Sequence, residues 1–173
     1  MRVYIKTDPE DQTLKRPAFH GDAGYDIIAF EDPEIVGQEI RKGVYSSIDY
    51  IQYETNVSVA PENESEFYSL VYPRSSVSKY NLILANSVGV VDSGYRDSIK
   101  LRFKYIVQPE DLVVKTSGSK ASIGAKVNIN KIYKKGEKIG QVVFVPHNKP
   151  LVEFTNSLPM SDRGLGGFGS TGQ

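Results

Sequence analysis

Three features of the sequence predict an all-β fold. Apolar and polar residues alternate in short runs, 11 tyrosines and 7 phenylalanines favour strands, and no 3.6-residue period is sustained. Val3-Tyr4-Ile5 opens the first run. Tyr53, Thr55, Val57 and Val59 then alternate with Glu54, Asn56 and Ser58, which predicts one half-buried strand. A short helix is expected over Ser75 to Tyr80, after Pro73-Arg74, with Ser75 as its cap. Ile99, Leu101, Phe103 and Tyr105 alternate with Lys100, Arg102 and Lys104, a second clear strand. Val127, Ile129 and Tyr133 share a parity that Lys131 interrupts, and Gln141 to Pro146 reads as a buried run. Turns at Pro61-Glu62-Asn63, Ser93-Gly94, Ser117-Gly118 and Lys135-Gly136 punctuate these runs. Many short strands of this kind assemble as a sandwich or a barrel-like roll.

At 173 residues the chain fits one domain. That size buries roughly 70% of the unfolded surface, so a core needs no staples. With 21 basic and 21 acidic residues the net charge is zero, which argues against a whole-molecule field for nucleic acid or acidic membranes. Without cysteine there is no disulfide, thiol catalysis or Cys-based metal site. His20 and His147, the two histidines, do not make a zinc site by themselves. The opening MRVYIKTDPE has no apolar signal core, and no run approaches the ~18 apolar residues of a membrane span. The expectation is a soluble cytoplasmic protein. Two segments differ in composition. Lys115 to Lys138 holds seven lysines and one acid, and Arg163 to Gln173 holds five glycines in eleven residues. The second cannot form a packed element and is expected to be mobile unless a ligand orders it.

Several clusters could carry chemistry. In the tail, Gly164, Gly166 and Gly169 match G-x-G-x-x-G, but no strand precedes them and no helix follows, so a dinucleotide fold is excluded. Phe168 among glycines, with Arg163 upstream and Ser170-Thr171 beside it, instead suits a flap that stacks on a base and grips phosphate. Arg74, Ser75 and Ser76 could cradle an anion at a helix start, or be a simple cap with a surface arginine. From Asn86 to Tyr95, apolar residues lead into Asp92 and a Ser-Gly turn, then into the strand after it. A hairpin there could read a pyrimidine edge with its backbone, with Asp92 as general base for a water. The same residues also serve as plain turn formers. Asp22 to Asp26 and Lys135 to Gln141 each read as a turn entering a strand.

Taken in order, these pieces resemble the trimeric all-β dUTPase family, which carries five ordered motifs. They are Asp22 to Ile27 (DAGYDI), Pro73 to Ser76 (PRSS), Gly89 to Tyr95 (GVVDSGY), Lys135 to Gln141 (KGEKIGQ) and Arg163 to Gly172 (RGLGGFGSTG). The resemblance spans residues 20 to 172 and implies Mg2+-dependent hydrolysis of dUTP to dUMP and pyrophosphate. Such a reaction limits uracil in DNA and supplies dUMP for dTMP synthesis. It implies a distorted β-barrel or jelly-roll-like subunit, and a homotrimer whose sites draw motifs from different chains. Carried over, Asp92 activates the attacking water and Tyr95 packs on the deoxyribose, excluding a 2′-hydroxyl. Asn86 and the backbone at Val90, Val91 and Asp92 read uracil, with Lys100 on the substrate side. Arg74, Ser75, Ser76 and Gln141 serve the phosphates. Arg163, Ser170 and Thr171 close on the γ-phosphate, Phe168 stacks on uracil, and Gly169 between them is a further substrate-binding residue. Asp26 touches Mg2+ only through water. Residues 1–162 form the catalytic domain and 163–173 the flap.

The sequence departs from the family in three places. Asp97 replaces a usual glycine, where a positive φ is the concern, and Gly140 replaces a common alanine, a mild change. Residues 106–132 replace a short connection, and Leu112-Val113-Val114 with Val127 to Ile132 suggest an added β-hairpin. The insertion makes a phage or viral origin plausible, with action in the host cytoplasm. Its lysines read as a solvated basic face, with nucleic-acid or protein contact as the alternative. Two rival functions are a dCTP deaminase-like enzyme and a nucleotide-binding regulator acting through the insertion. The deaminase needs a glutamate where Arg102 stands, and no acid lies between Ser98 and Gln108.

Overall fold

A computed structural model describes residues 2–7, 13–64, 66–117, 120–148 and 150–164. The strands are β1 (Val3–Lys6), β2 (Leu14–Lys15), β3 (Tyr25–Ile28), β4 (Glu34–Arg41), β5 (Val44–Glu54), β6 (Ser58–Pro61) and β7 (Phe67–Pro73). They continue as β8 (Leu82–Leu84), β9 (Gly89–Val91), β10 (Lys100–Tyr105), β11 (Leu112–Ser117), β12 (Lys120–Ala125) and β13 (Lys138–Pro146). Only two short 3₁₀ turns, Ser75–Lys79 and Pro109–Asp111, interrupt them among the described residues. None of the described helices is long and apolar enough to cross a membrane.

The all-β prediction holds, with antiparallel pairing throughout. One sheet runs β2-β3-β13-β7-β9, and a second runs β11-β12-β5-β10-β8 with β4 on the other side of β5. A small sheet pairs β1 with β6. The described sheets do not close into a barrel, because each path ends on edge strands. Period two explains the inward faces. β10 buries Leu101, Phe103 and Tyr105 and exposes Lys100, Arg102 and Lys104. These side chains meet Ile27, Val71 and Val142 of the other large sheet in one apolar cluster. Burying each aliphatic or phenyl side chain contributes about 1.5–3 kcal/mol. Tyr53 sits at its centre, edge-on to Phe103 and Tyr133, and its hydroxyl donates to the Tyr133 carbonyl at 3.0 Å. Burial pushes the Tyr53 phenol well above its ordinary range.

Several local expectations change. The inward residues Tyr53, Thr55, Val57 and Val59 are all buried, yet they span two strands. Asn56, at φ 55°, turns the chain between β5 and β6, and the Thr55 hydroxyl holds the bend by donating to the Ile99 carbonyl. The predicted helix is a single 3₁₀ turn whose cap position is Arg74 rather than Ser75, with no side-chain cap bond. The inserted hairpin is present as β11 and β12, paired from Leu112↔Ala125 to Ser117↔Lys120. Its second strand is therefore Lys120–Ala125, not 127–132. Residues 126–137 form no strand: Val127, Ile132 and Tyr133 are buried from a turn-rich loop, and Ile129 is exposed. β9 and β10 are not a hairpin either. β9 pairs with β7 and β10 with β5 and β8, so the connection at Asp92–Ile99 crosses between sheets.

Candidate active site

Two clefts gather most of the predicted residues. The first, of about 200 Å³, lies where β9 leaves its sheet and β10 enters the other. Asn86, Val90, Val91, Asp92, Tyr95 and Lys100 line it, over a floor of Val71, Leu84, Ile99 and Leu101. β9 is the last strand of its sheet, so one backbone edge has no neighbouring strand and is available to a planar hydrogen-bonding ligand. Gly89 packs closely on β7 beside Asn86: a Cβ there would stand 3.2 Å from Val71 Cβ, a tight approach, and in ordinary contact with Asn86 Nδ2 at 3.6 Å. Ser87, at φ 59°, makes the tight turn that brings Asn86 round, with Ser87 N–H donating to the Leu84 carbonyl at 3.1 Å.

Asp92 is exposed at the mouth, and no hydrogen bond or ion pair engages its carboxylate among the described residues. It follows β9 directly, and its carbonyl accepts from Tyr95 N–H at 3.0 Å. The Tyr95 hydroxyl donates to the Ser98 carbonyl at 3.2 Å, which turns the ring along the cleft wall. Lys100 pairs with Glu54 at 3.0 Å, and that carboxylate raises the Lys100 pKa. Asp97 has ordinary backbone, since Asn56 and Ser87 are the described non-glycine residues with positive φ. Its carboxylate instead accepts from Ser98 N–H at 2.7 Å.

The second cleft is larger, about 570 Å³, and cationic on one wall. Asp26, Tyr72, Arg74, Ser75, Lys138 and Gln141 line it. The sheet register puts Asp26, Gln141 and Tyr72 in one row across β3, β13 and β7. Arg74 Nε reaches Asp26 Oδ1 at 3.0 Å, and Lys138 Nζ reaches Asp26 Oδ2 at 2.8 Å. Asp26 thus fixes two cations side by side, the arrangement a polyphosphate needs. Gly24 leaves room beside them for the Gln141 side-chain amide, which a Cβ there would push aside. Ser75 opens into this cleft, whereas Ser76 turns inward toward Tyr133. Burial raises the Tyr133 phenol, opposed by neighbouring Ser76 and Arg74. Ser76 lies beside the phenol, but the Tyr133 hydroxyl makes no hydrogen bond of good geometry among the described residues.

No residue lines both clefts, and the reason is one strand. Val71 faces the first cleft and Tyr72 the second, and successive residues of a strand point to opposite sides. Arg163 lies outside both, and Phe168, Gly169, Ser170 and Thr171 fall outside the described residues. Sequence reasoning missed Lys138, although it sits inside KGEKIGQ. The bulge between Lys138 and Gly140 decides which way it points, and a bulge leaves little trace in the pattern. Arg102, the position a deaminase would need as glutamate, lies on the outer face, 4.4 Å above the Tyr50 ring.

An open strand edge over an apolar floor suits a base, and paired cations suit its phosphates; together they define an all-β nucleotide-binding protein. Known proteins agree. The dUTPase family profile matches residues 123–172. The deoxyuridine 5'-triphosphate nucleotidohydrolase of Clostridium kluyveri is 30% identical over 173 residues, covering 99% of each chain. That of Clostridium tetani is 32% identical, covering 99% of this chain and 97% of its own. Among solved structures, the dUTPase of Staphylococcus bacteriophage 80alpha with dUPNHPP has a TM-score of 0.69 at 24% identity, covering 99% of each chain. A dUTPase variant from phage phi11 of S. aureus, described with a structural Mg(II) ion, has a TM-score of 0.61 at 20% identity, covering 91% of this chain and 98% of its own. These two likenesses are of fold. The chain belongs to the dUTPase family.

Proposed function

We propose that this chain hydrolyses dUTP to dUMP and pyrophosphate by attack of an Asp92-held water on the α-phosphorus. The observation that carries the proposal is the division of labour between the clefts. The first offers backbone, Asn86 and Tyr95 to a base and sugar, beside an unengaged carboxylate; the second offers Arg74, Lys138, Ser75 and Gln141 to phosphates. Asp92 takes the proton from water as the water attacks, and Arg74 and Lys138 stabilise the charge that develops on the phosphates. Tyr95 stacks on the deoxyribose and leaves no room for a 2′-hydroxyl. The chemistry needs in-line placement and charge neutralisation more than covalent help.

Mg2+ fits this donor set as a phosphate-bound ion. Among the described residues no three of His, Cys, Asp and Glu converge on a common point, and both Asp26 oxygens are already engaged by cations. Asp26 would therefore meet the ion through a water, the phosphates supplying direct ligands. When bound, the ion neutralises phosphate charge.

Val71 and Tyr72, neighbours on β7, line different clefts, which accords with a nucleotide that spans two chains rather than one. A homotrimer with shared sites supplies each base cleft with a neighbour's phosphate cleft. The segment before the tail supports this: Leu151, Phe154 and Met160 stand 97%, 97% and 101% exposed on the isolated chain, as an arm made for another subunit would. In the proposal, residues 1–162 act as the catalytic body. Residues 163–173 close over the bound nucleotide, with Phe168 on uracil, Arg163, Ser170 and Thr171 on the γ-phosphate, and Gly169 among the substrate-binding residues. Action in a reducing cytoplasm, a host's for a viral member, accords with a chain without cysteine. The test is product analysis with dUTP, dCTP, dTTP and UTP in the presence of Mg2+. Pyrophosphate from dUTP alone is the expected result; deamination of dCTP, or no turnover, refutes the proposal.

A further inference from the structure

We propose that Arg96, tied to Glu64, is a positioning residue that sets the Asp92–Tyr95 turn for hydrolysis and for rejection of ribonucleotides. The proposal rests on the reading of Asp92 and Tyr95 given above. Packing does not hold this turn. Asp92, Gly94, Tyr95, Arg96 and Asp97 are all exposed, and a Cβ added at Gly94 would meet nothing within 4 Å. The turn is held by hydrogen bonds, and one guanidinium makes the longest-reaching of them. Arg96 Nη1 donates to the Ser93 carbonyl at 2.6 Å and to the Tyr95 carbonyl at 3.1 Å. Its Nη2 donates to Glu64 Oε1 at 2.6 Å. The planar fork thus bridges two carbonyls that flank Gly94 and anchors them to the segment between β6 and β7.

The two bridged carbonyls belong to the residues on either side of the turn's glycine. Loss of the fork frees rotation about Gly94, which has no side chain to resist it. Asp92 would then lose its aim at the water, and Tyr95 its place against the sugar. A shared tether predicts a shared failure: rate and sugar discrimination fall together. Stability should scarcely change, because exposed ion pairs add little to it.

The test compares the full-length protein with Arg96→Ala, Glu64→Gln, the charge swap Glu64→Arg with Arg96→Glu, and Asp92→Asn. Kinetics are read with dUTP and UTP, alongside thermal unfolding. Arg96→Ala should lose about ten- to a hundredfold in kcat, the scale of a small misplacement of a reacting group. It should also narrow the dUTP-over-UTP ratio of kcat/KM while melting close to the parent. The charge swap restores an ion pair but places at position 96 a group that cannot donate to carbonyls, so it should remain slow. Parental kcat and selectivity in Arg96→Ala overturn the proposal, as does full recovery in the charge swap, which would reduce the contact to a simple ion pair. If Arg96→Ala does not fold, Glu64→Gln decides: a several-fold loss in kcat is expected, and parental kinetics overturn the proposal. Parental kcat in Asp92→Asn would instead remove the reading on which the proposal stands.

Discussion

Adding one methyl at Gly140 should weaken both the fold and the grip on substrate. Gly140 lies in β13, paired with Ile27 on one side and Pro73 on the other. A Cβ there would stand 2.7 Å from Leu101 Cδ2 and 3.0 Å from the Tyr72 carbonyl oxygen. The carbonyl is backbone and yields little. Leu101 is 1% exposed and boxed in on the core side, but its other side lines the base cleft. It can move only toward that cleft. Overpacking of this kind costs about 2 kcal/mol, the middle of a range of roughly 1–3. For a chain of this length that lowers Tm by roughly 4–8 °C. The displaced leucine narrows the base cleft, and KM for dUTP should rise about three- to tenfold, equivalent to roughly 0.7–1.4 kcal/mol. The assay is thermal unfolding and steady-state kinetics of Gly140→Ala, alone and combined with Leu101→Ala. In the Leu101→Ala background the methyl should cost about 1 kcal/mol less, because its obstacle is gone. An unchanged Tm together with an unchanged KM would refute the reasoning. So would strictly additive effects in the double variant.

Asp92→Asn should lower kcat by about 10²–10⁴ while nucleotide binding survives, since the amide keeps the shape but cannot take the proton; near-parental kcat would show that Asp92 is not the base. Truncation after Asp162 should leave Tm nearly unchanged and remove most activity, and mixing the truncated chain with Asp92→Asn should restore part of it after subunit exchange; demonstrated exchange without recovery would exclude shared sites. Stability should fall as pH rises above about 10, because the buried phenols Tyr53 and Tyr133 have raised pKa values in the folded chain. In that window the unfolded chain has lost protons that the folded chain keeps, so each such phenol contributes a slope of up to about 1.4 kcal/mol per pH unit against folding. Urea unfolding at about pH 9 and 11 checks this, and equal stabilities at the two would refute it.

How much of this was legible in the sequence depended on whether a signal was local. β10 could be read because every second side chain enters one core, and the buried positions match the apolar letters one for one. The first four motifs could be read because each packs its polar groups into a few consecutive residues. β4 and β5 could not. Their pairing carries irregularities at Val36/Gly37, Gln38/Glu39 and Glu39/Arg41, and much of the outer hairpin faces solvent on both sides. β7 was hidden for another reason: buried Ser69 occupies an inward position, and half-buried Leu70 an outward one. Val127, Ile132 and Tyr133 misled because a loop that dips into the core buries apolar residues without forming a ladder. The break at Lys131 was the clue. The tie between Asp26, Arg74 and Lys138 joins three distant segments, so only the register of β3, β13 and β7 brings them together.

The same register gives the two clefts a shared wall. Gln141 lines the phosphate cleft, and its neighbour Gly140 packs against Leu101, which lines the base cleft. If each site takes its base cleft from one chain and its phosphate cleft from another, the Gly140–Leu101 contact lies inside one subunit but between halves of two different sites. A change on one side of β13 then acts on a nucleotide held elsewhere in the assembly. Glycine at position 140 follows from this packing. A Cβ at position 140 fits only if the residue facing it is smaller than Leu101 or set back from it, so position 140 and position 101 act as a pair. The mild substitution that the sequence suggested is therefore a coupled one, and the Gly140→Ala and Leu101→Ala cycle measures that coupling directly.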